Sequence, residues 1–226
     1  MIGGTRGIGA ACADRLTADG CTVVVVGRSE PTTQHDFYQA DAADEVRMLA
    51  VVEDVEKKYG PIEVLVCSAG VAETKLGIGV TVEDLESMSR ANLHTAVVPM
   101  RIVARLMARR SSGRIIAVSS VGAGFGLPKH LAYNASKAAV IGAARTFARE
   151  LATRGITVNV VVPGPIDTDM LRQGERVEEY IASYVPMRRS GTPAEVAAAV
   201  SFLASQDAGF VTGAIVPVDG GMTMCW

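Results

Sequence analysis

Short apolar runs return along this chain, each separated from the next by a stretch long enough for a helix. CTVVVVG (21–27), IEVLVCSAG (62–70), GRIIAVSS (113–120), GITVNVVVPG (155–164) and AIVPVDGG (214–221) are rich in Val and Ile and mostly lack polar alternation. Runs of that kind read as parallel strands buried on both faces. Between them, residues 8–19, 44–59, 82–110, 133–153 and 193–205 carry helical periodicity. The last opens with Thr192 as N-cap and Pro193 at the first helical position. Strand–helix alternation predicts one α/β domain over 1–226, a Rossmann-type three-layer α/β/α sandwich on a mostly parallel sheet. A length of 226 residues suits a single core, and no repeat, low-complexity tract or linker divides the chain.

Two places break the pattern. Only Met1 and Ile2 precede Gly3, where a strand has about five or six residues. The first strand therefore reads as truncated, and it would lie in the middle of the sheet. The expectation is that authentic chain lies upstream, or that the start is misassigned. Between Arg28 and Asp41 only twelve residues remain, Pro31 among them, which is too few for a full crossover helix with its turns. A loop or a single turn is expected there, with a short strand before Asp41.

A formal charge of −2 gives no support to nucleic-acid binding. No apolar run reaches the ~18 residues of a membrane helix, and no secretory signal opens the sequence. The cytoplasm is the expected location. Cys12, Cys21, Cys67 and Cys225 form no C-x-x-C, and His35, His94 and His130 are scattered, so reduced structural thiols and no metal are expected.

The opening IGGTRGIG is a candidate phosphate cradle. Gly3, Gly7 and Gly9, with Thr5, Arg6 and Ile8 between them, let the backbone turn tightly and approach a pyrophosphate at a helix N-terminus. At the end of VVVV, a carboxylate would favour a free adenosine 2′-hydroxyl and repel a 2′-phosphate. Gly27 stands there instead, followed by Arg28 and Ser29, and Arg6 can reach the same region. Two guanidiniums and a hydroxyl favour NADPH over NADH. Asp41 and Ala42, after the next short strand, fall at the adenine edge.

Tyr133 and Lys137 stand one helical turn apart in YNASK, and Ser120 ends the run RIIAVSS. A free phenol titrates near ~10, too high for ready proton transfer at neutral pH. A neighbouring ammonium favours the phenolate and lowers that value, and i, i+4 spacing puts Lys137 on the same helix face. Ser120 would hold the substrate oxygen and stabilise the charge developing on it. The trio can reduce a ketone beside a nicotinamide, which supplies the hydride.

IGGTRGIG, CSAG (67–70), Asn92 in RANLHT, Ser120, YNASK and PGPIDT (163–168) together resemble the short-chain dehydrogenase/reductase superfamily over essentially the whole chain. That resemblance implies that Asn92 is a fourth catalytic member, holding a water that links Lys137 to solvent. It also implies that Pro163, Gly164, Ile166 and Thr168 flank the nicotinamide, and that Ser68, Ala69, Gly70 and Val118 line the cofactor. From residue 155 onward, GITVNVVVPGPIDTDM, VPMRRSGTPAEVAAAVSFLAS, FVTG and VDGGM are most similar to β-ketoacyl-acyl-carrier-protein reductases. In that family basic residues beside the cleft dock the acidic carrier. Arg154 matches one such position, and Ser111, after Arg109 and Arg110, falls at the other. Ile2, Cys67 and Ser68 depart from the family's usual threonine and paired asparagines.

The resulting expectation is an NADPH-dependent reductase of a 3-oxoacyl thioester, carried by an acyl carrier protein or free. A reductase of free polyketides, sugars or sterols remains open, as does a cofactor sensor without catalysis. A substrate lid over about 165–192 would use Met170, Leu171, Tyr180, Ile181 and Tyr184 either to face the substrate or to pack the lid. The alanine-rich faces of 82–110 and 133–153 and the family pattern predict a homotetramer.

Overall fold

The computed structural model describes residues 1–31, 34–172 and 177–224. Cys225 lies outside them. Among the described residues six strands form the sheet: β1 (Val24–Gly27), β2 (Asp36–Gln39), β3 (Val64–Cys67), β4 (Gly113–Val118), β5 (Ile156–Pro163) and β6 (Ile215–Val218). Every pairing between them is parallel, β1 with β2 on one side and β3-β4-β5-β6 in order on the other. Ile2 bridges the two groups, pairing in parallel with both Val26 and Cys67. The expected central position of the first strand is thus held by Met1 and Ile2.

Neighbouring residues on each strand feed opposite layers, which explains why the runs lack polar alternation. Leu65, Ile115, Ala117, Val158 and Val160 pack under α2 (Glu45–Tyr59), α4 (Thr95–Arg110) and α6 (Leu131–Leu151). Val66, Ile116 and Val161 pack under α1 (Gly7–Ala18) and α9 (Pro193–Ala204) through Cys12, Leu16, Val196, Val200 and Leu203. All eight positions of β5 are buried. This is the three-layer sandwich that the alternation predicts.

Helix starts follow local chemistry. Thr192 accepts from the Glu195 amide while the Glu195 side chain returns to the Thr192 N–H, closing a capping box ahead of Pro193. The stretch 82–110 departs from the expected single helix. It divides into α3 (Val82–Met88), a π-helical turn at Ser89–His94, and α4. A π-turn carries one extra residue and often re-aims a side chain at a site; Asn92 is fully buried within this one. Among the described residues, the connection from Arg28 to Asp41 holds β2 and no helix. Short α5 (Gly122–Phe125) follows β4, and α7 (Asp169–Arg172) and α8 (Val177–Tyr184) lie in the lid segment.

Candidate active site

The carboxyl ends of β3, β4 and β5 converge with α6, and the sequence-predicted residues meet there. Ser119 donates its hydroxyl to the Lys137 carbonyl at 2.8 Å, tying the end of β4 to the middle of α6. The next residue, Ser120, is buried, and its Oγ accepts from the Gly122 N–H at 3.1 Å. That contact fixes the hydroxyl and leaves its proton for the Tyr133 oxygen, to which it is hydrogen-bonded. His130 stands edge-on to the Tyr133 ring, centroids 6.1 Å apart.

Electrostatics here differ from the sequence expectation. Burial pushes the Tyr133 phenol above its ordinary value, and the Ser120 hydrogen bond opposes this without cancelling it. Lys137 is buried, and desolvation lowers its ammonium from 10.5 to about 8. Its Nζ donates to the Val118 carbonyl at 3.1 Å. Desolvation, which spacing along a helix does not reveal, therefore outweighs the expected acidification of the phenol.

Asn92 is the brace of the site. Its Oδ1 accepts from the Val71 N–H at 2.8 Å, and its Nδ2 donates to the Val71 carbonyl at 3.0 Å and to Ser136 Oγ at 2.9 Å. The Ser136 hydroxyl in turn donates a hydrogen bond to the Tyr133 carbonyl at 2.7 Å. The side-chain amide is thus committed to positioning. A β-carbon on Gly70 would lie 2.8 Å from Asn92 Oδ1 and 3.0 Å from Lys137 Nζ, so the strand end, the π-turn and the lysine share one point.

The glycine loop fits a phosphate-bearing cofactor. Gly3 has φ +75°, and a side chain there would run into the Ala69 amide at 2.5 Å. A β-carbon on Gly9 would sit 1.9 Å from the Gly3 carbonyl. Side chains at either place would fill the cradle, whose floor is backbone. Gly7 faces Thr168, whose Cγ2 lies 3.5 Å from where its β-carbon would be, so the loop adjoins the segment after β5. That segment is held by Thr168 Oγ1 donating to the Ile166 carbonyl at 3.2 Å, by Val121 N–H donating to the Pro163 carbonyl at 3.0 Å, and by Gly164 packed on Asp219. Thr5 presses its methyl on Gly27 at the end of β1, while Arg6, Arg28 and Ser29 are exposed around it. The Ser68 N–H donates to the Ile2 carbonyl at 2.9 Å. Asp41 accepts from the Ala43 N–H at 2.9 Å and from Arg90 at 2.9 Å, with Ala42 buried beside it.

In the lid, Tyr180 donates to the Met222 sulfur at 3.6 Å, tying the lid to the segment after β6, and Ile181 is buried. Met170 and Tyr184 remain about half exposed, and Phe125 meets the Tyr184 ring edge-on at 5.7 Å. The basic patch requires a correction. Gly155, next to Arg154, packs on the Ser111 carbonyl, so the two positions do adjoin. They lie at the amino ends of β5 and β4, across the sheet from Ser120 and Pro163, and not beside this chain's own cleft. Arg110 there is paired with Glu56 at 2.9 Å.

A family model described as enoyl-(acyl carrier protein) reductase matches residues 3–223. The chain is a short-chain dehydrogenase/reductase. The 3-oxoacyl-[acyl-carrier-protein] reductase MabA of Mycobacterium tuberculosis is 44% identical over 226 residues, covering 99% of this chain and 92% of that protein. FabG of Escherichia coli, of the same description, is 36% identical and covers 99% and 96%. A ligand-free Thermoplasma acidophilum aldohexose dehydrogenase superposes with a TM-score of 0.92 at 30% identity, over 100% of this chain and 93% of that one. This short-chain dehydrogenase/reductase is accordingly an oxidoreductase of the nicotinamide-dependent kind.

Sequence reasoning missed Ser119, Ser136 and Arg90 as positioning groups. Ser136 lies inside YNASK and could have been found, because a small hydroxyl between Tyr133 and Lys137 invites a contact with a neighbouring element. Nothing local marks Arg90 as the partner of Asp41, which is 49 residues away.

Proposed function

We propose that this chain is an NADPH-dependent reductase of 3-oxoacyl thioesters, returning the 3-hydroxyacyl product. The observation that carries this reading is the convergence of Ser120, Tyr133 and Lys137 at the sheet edge where the glycine cradle and Thr168 also meet. The relatives named as 3-oxoacyl-[acyl-carrier-protein] reductases support the substrate class. Gly3 to Gly9 would hold the pyrophosphate, Arg6, Arg28 and Ser29 the 2′-phosphate, Asp41 and Ala42 the adenine edge. Ser68, Ala69, Gly70, Pro163, Gly164, Ile166 and Thr168 would border the nicotinamide, which supplies the hydride when bound.

Ser120 holds the ketone oxygen and stabilises negative charge growing on it. Tyr133, a phenol protonated at neutral pH, donates its hydroxyl proton to that oxygen. Lys137 stands behind it to stabilise the phenolate and return a proton, while Asn92 holds the Gly70–Val71 turn and α6 in register. The net change is one hydride on carbon and one proton on oxygen, converting C=O to CH–OH.

We also propose a homotetramer built on the faces of α4 and α6, checked by light scattering; a mass of one chain would refute it. Carrier docking through Arg109 and Arg154 would need such an assembly, because the patch lies away from this chain's cleft. The aldohexose dehydrogenase similarity favours a second reading, turnover of free small carbonyl compounds. The deciding assay follows NADPH and NADH oxidation with an acetoacetyl thioester, a crotonyl thioester and a panel of free ketones and aldoses, alongside Tyr133→Phe. Acetoacetyl turnover lost in the variant supports the main reading. Turnover of free compounds alone establishes the second, and cofactor binding without any turnover refutes both.

A further inference from the structure

The turn that follows Ser120 is nearly bare of side chains. Residues 122–127 read GAGFGL. They close the single turn of α5, with the Phe125 N–H donating to the Val121 carbonyl at 2.8 Å and the Gly126 N–H to the Gly122 carbonyl at 3.3 Å. Gly126 ends it in the left-handed region at φ +71°. Glycines at 122, 124 and 126 give such a turn little stiffness of its own. Yet the Gly122 N–H is the group that fixes the Ser120 oxygen. The stiffness has to come from outside the turn.

Asn134, the residue after Tyr133 on α6, reaches both ends of it. At the far end its Nδ2 donates to the Leu127 carbonyl at 2.9 Å. A carbonyl only accepts, so this bond settles which way the amide faces. Oδ1 then points at the near end, where a β-carbon on Gly122 would lie 2.3 Å from it. The α-hydrogen of Gly122 takes that direction, in a weak C–H···O contact. Oδ1 is buried and finds no N–H or O–H donor among the described residues. Asparagine is also a poor helix former, so neither helix propensity nor hydrogen-bond satisfaction accounts for it here. Its place between the two ends of the turn does.

We propose that Asn134 is a positioning residue for the reaction, clamping the α5 turn to α6 so that Gly122 presents its N–H to Ser120. One carboxamide thereby ties the Ser120 hydroxyl to the helix that carries Tyr133. The two groups that meet the ketone oxygen are held in one frame. This rests on the roles proposed above for Ser120 and Tyr133. Without the clamp, the Ser120 oxygen loses the donor that leaves its proton free for Tyr133 and the substrate.

Asn134→Ala tests this, because alanine suits the helix and removes both ends of the clamp. With saturating NADPH, kcat for an acetoacetyl thioester is expected to fall about 10- to 100-fold. KM should stay within about threefold, the mark of an interaction made in the transition state. In a Ser120→Ala background the same substitution should cost less than about twofold more, since residues acting as a unit are not additive. Gly122→Ala, whose methyl meets Oδ1, should lower kcat as far, and the pair no further. Hydrogen exchange of the Gly122 amide, followed by NMR on the full chain, should quicken at least ~10-fold in Asn134→Ala. Tm should stay within about 3 °C of the parent. Unchanged Gly122 exchange overturns the proposal, as does a full additive loss in the Ser120→Ala background. A large drop in Tm with general loss of amide protection assigns Asn134 to the fold and overturns it too. The exchange readout needs no turnover, so the clamp and the proposed function can fail separately.

Discussion

The two parts of the sheet are built to different standards. Strands β3 to β6 form one unbroken ladder, capped at its carboxyl edge by Ser120, the π-turn and α6. Strands β1 and β2, four residues each, pair with one another, and among the described residues they reach the rest of the sheet through the short Met1–Gly3 segment. The proposed reacting groups and nicotinamide contacts stand on the first part, and the proposed 2′-phosphate and adenine contacts stand on the second. The chemistry and the adenosine end of the proposed cofactor site therefore stand on different parts of the sheet, and substitutions on the two should differ in effect.

The largest effect belongs to Tyr133→Phe. Loss of the proton donor should lower ketone turnover by about 10²–10⁴-fold. Equilibrium NADPH binding, measured by fluorescence titration, should change little, because the cradle is backbone from Gly3 to Gly9. A parallel loss of affinity would show that the two parts are not separable.

Lys137→Met should lower turnover somewhat less and, unusually, act on stability in the opposite direction. The native state holds this ammonium at about 8 instead of 10.5, so the unfolded chain binds more protons between those values. Stability of the unaltered protein therefore rises with pH across that window. Below it, the burden of the buried charge is complete, roughly 3 kcal/mol at most. Removing the charge relieves that burden but leaves the Val118 carbonyl without its donor, which takes back about 1–3 kcal/mol. Thermal melts should find the variant equal to or more stable than the parent at pH 7, with its relative advantage declining from pH 8 to 10.5. A variant whose advantage grows over that range would contradict the buried-ammonium account.

How much of this was legible beforehand depends on whether the physics is local. The runs at 113–120 and 155–164 announce buried strands because both of their faces are covered, and β4 and β5 fall inside them. Thr192–Pro193 announces a helix start because the cap is made within three residues. The π-turn around Asn92 was hidden: its helical periodicity continues through 82–110, and the extra residue is stabilised by Val71 and Ser136 from elsewhere. The raised phenol of Tyr133 was hidden for the same reason, since burial is a property of the assembled layers. The basic patch misled because a motif match to Arg154 implies a cleft-side place, although the residue precedes β5 and the site lies beyond that strand's other end.

Gly9→Ala should act on the weaker part. Its new methyl would meet the Gly3 carbonyl at 1.9 Å, so α1 or the loop must shift. Overpacking of that kind costs about 1–3 kcal/mol. Calorimetry should record Tm lower by roughly 2–4 °C per kcal/mol. NADPH affinity should fall as well, while the chemical step under saturating cofactor, read by single-turnover kinetics, should hold. Loss of that step at saturation would mean that the cradle also positions the reacting groups.

The smallest effect sharpens the comparison most, because it isolates one phosphate. Arg28 is exposed at the end of β1, and its carbonyl is fixed by the Gln39 side-chain N–H at 2.9 Å, which sets the loop without engaging the guanidinium. Arg28→Ala should weaken NADPH binding about tenfold, equivalent to roughly 1.4 kcal/mol. NADH binding should stay within about twofold, since it lacks the 2′-phosphate. The difference should shrink as salt rises, because an exposed charge pair is screened. Equal losses for both nicotinamides would relocate the arginine's role from the phosphate to the fold of the β1–β2 loop, and would place cofactor preference on Arg6 instead.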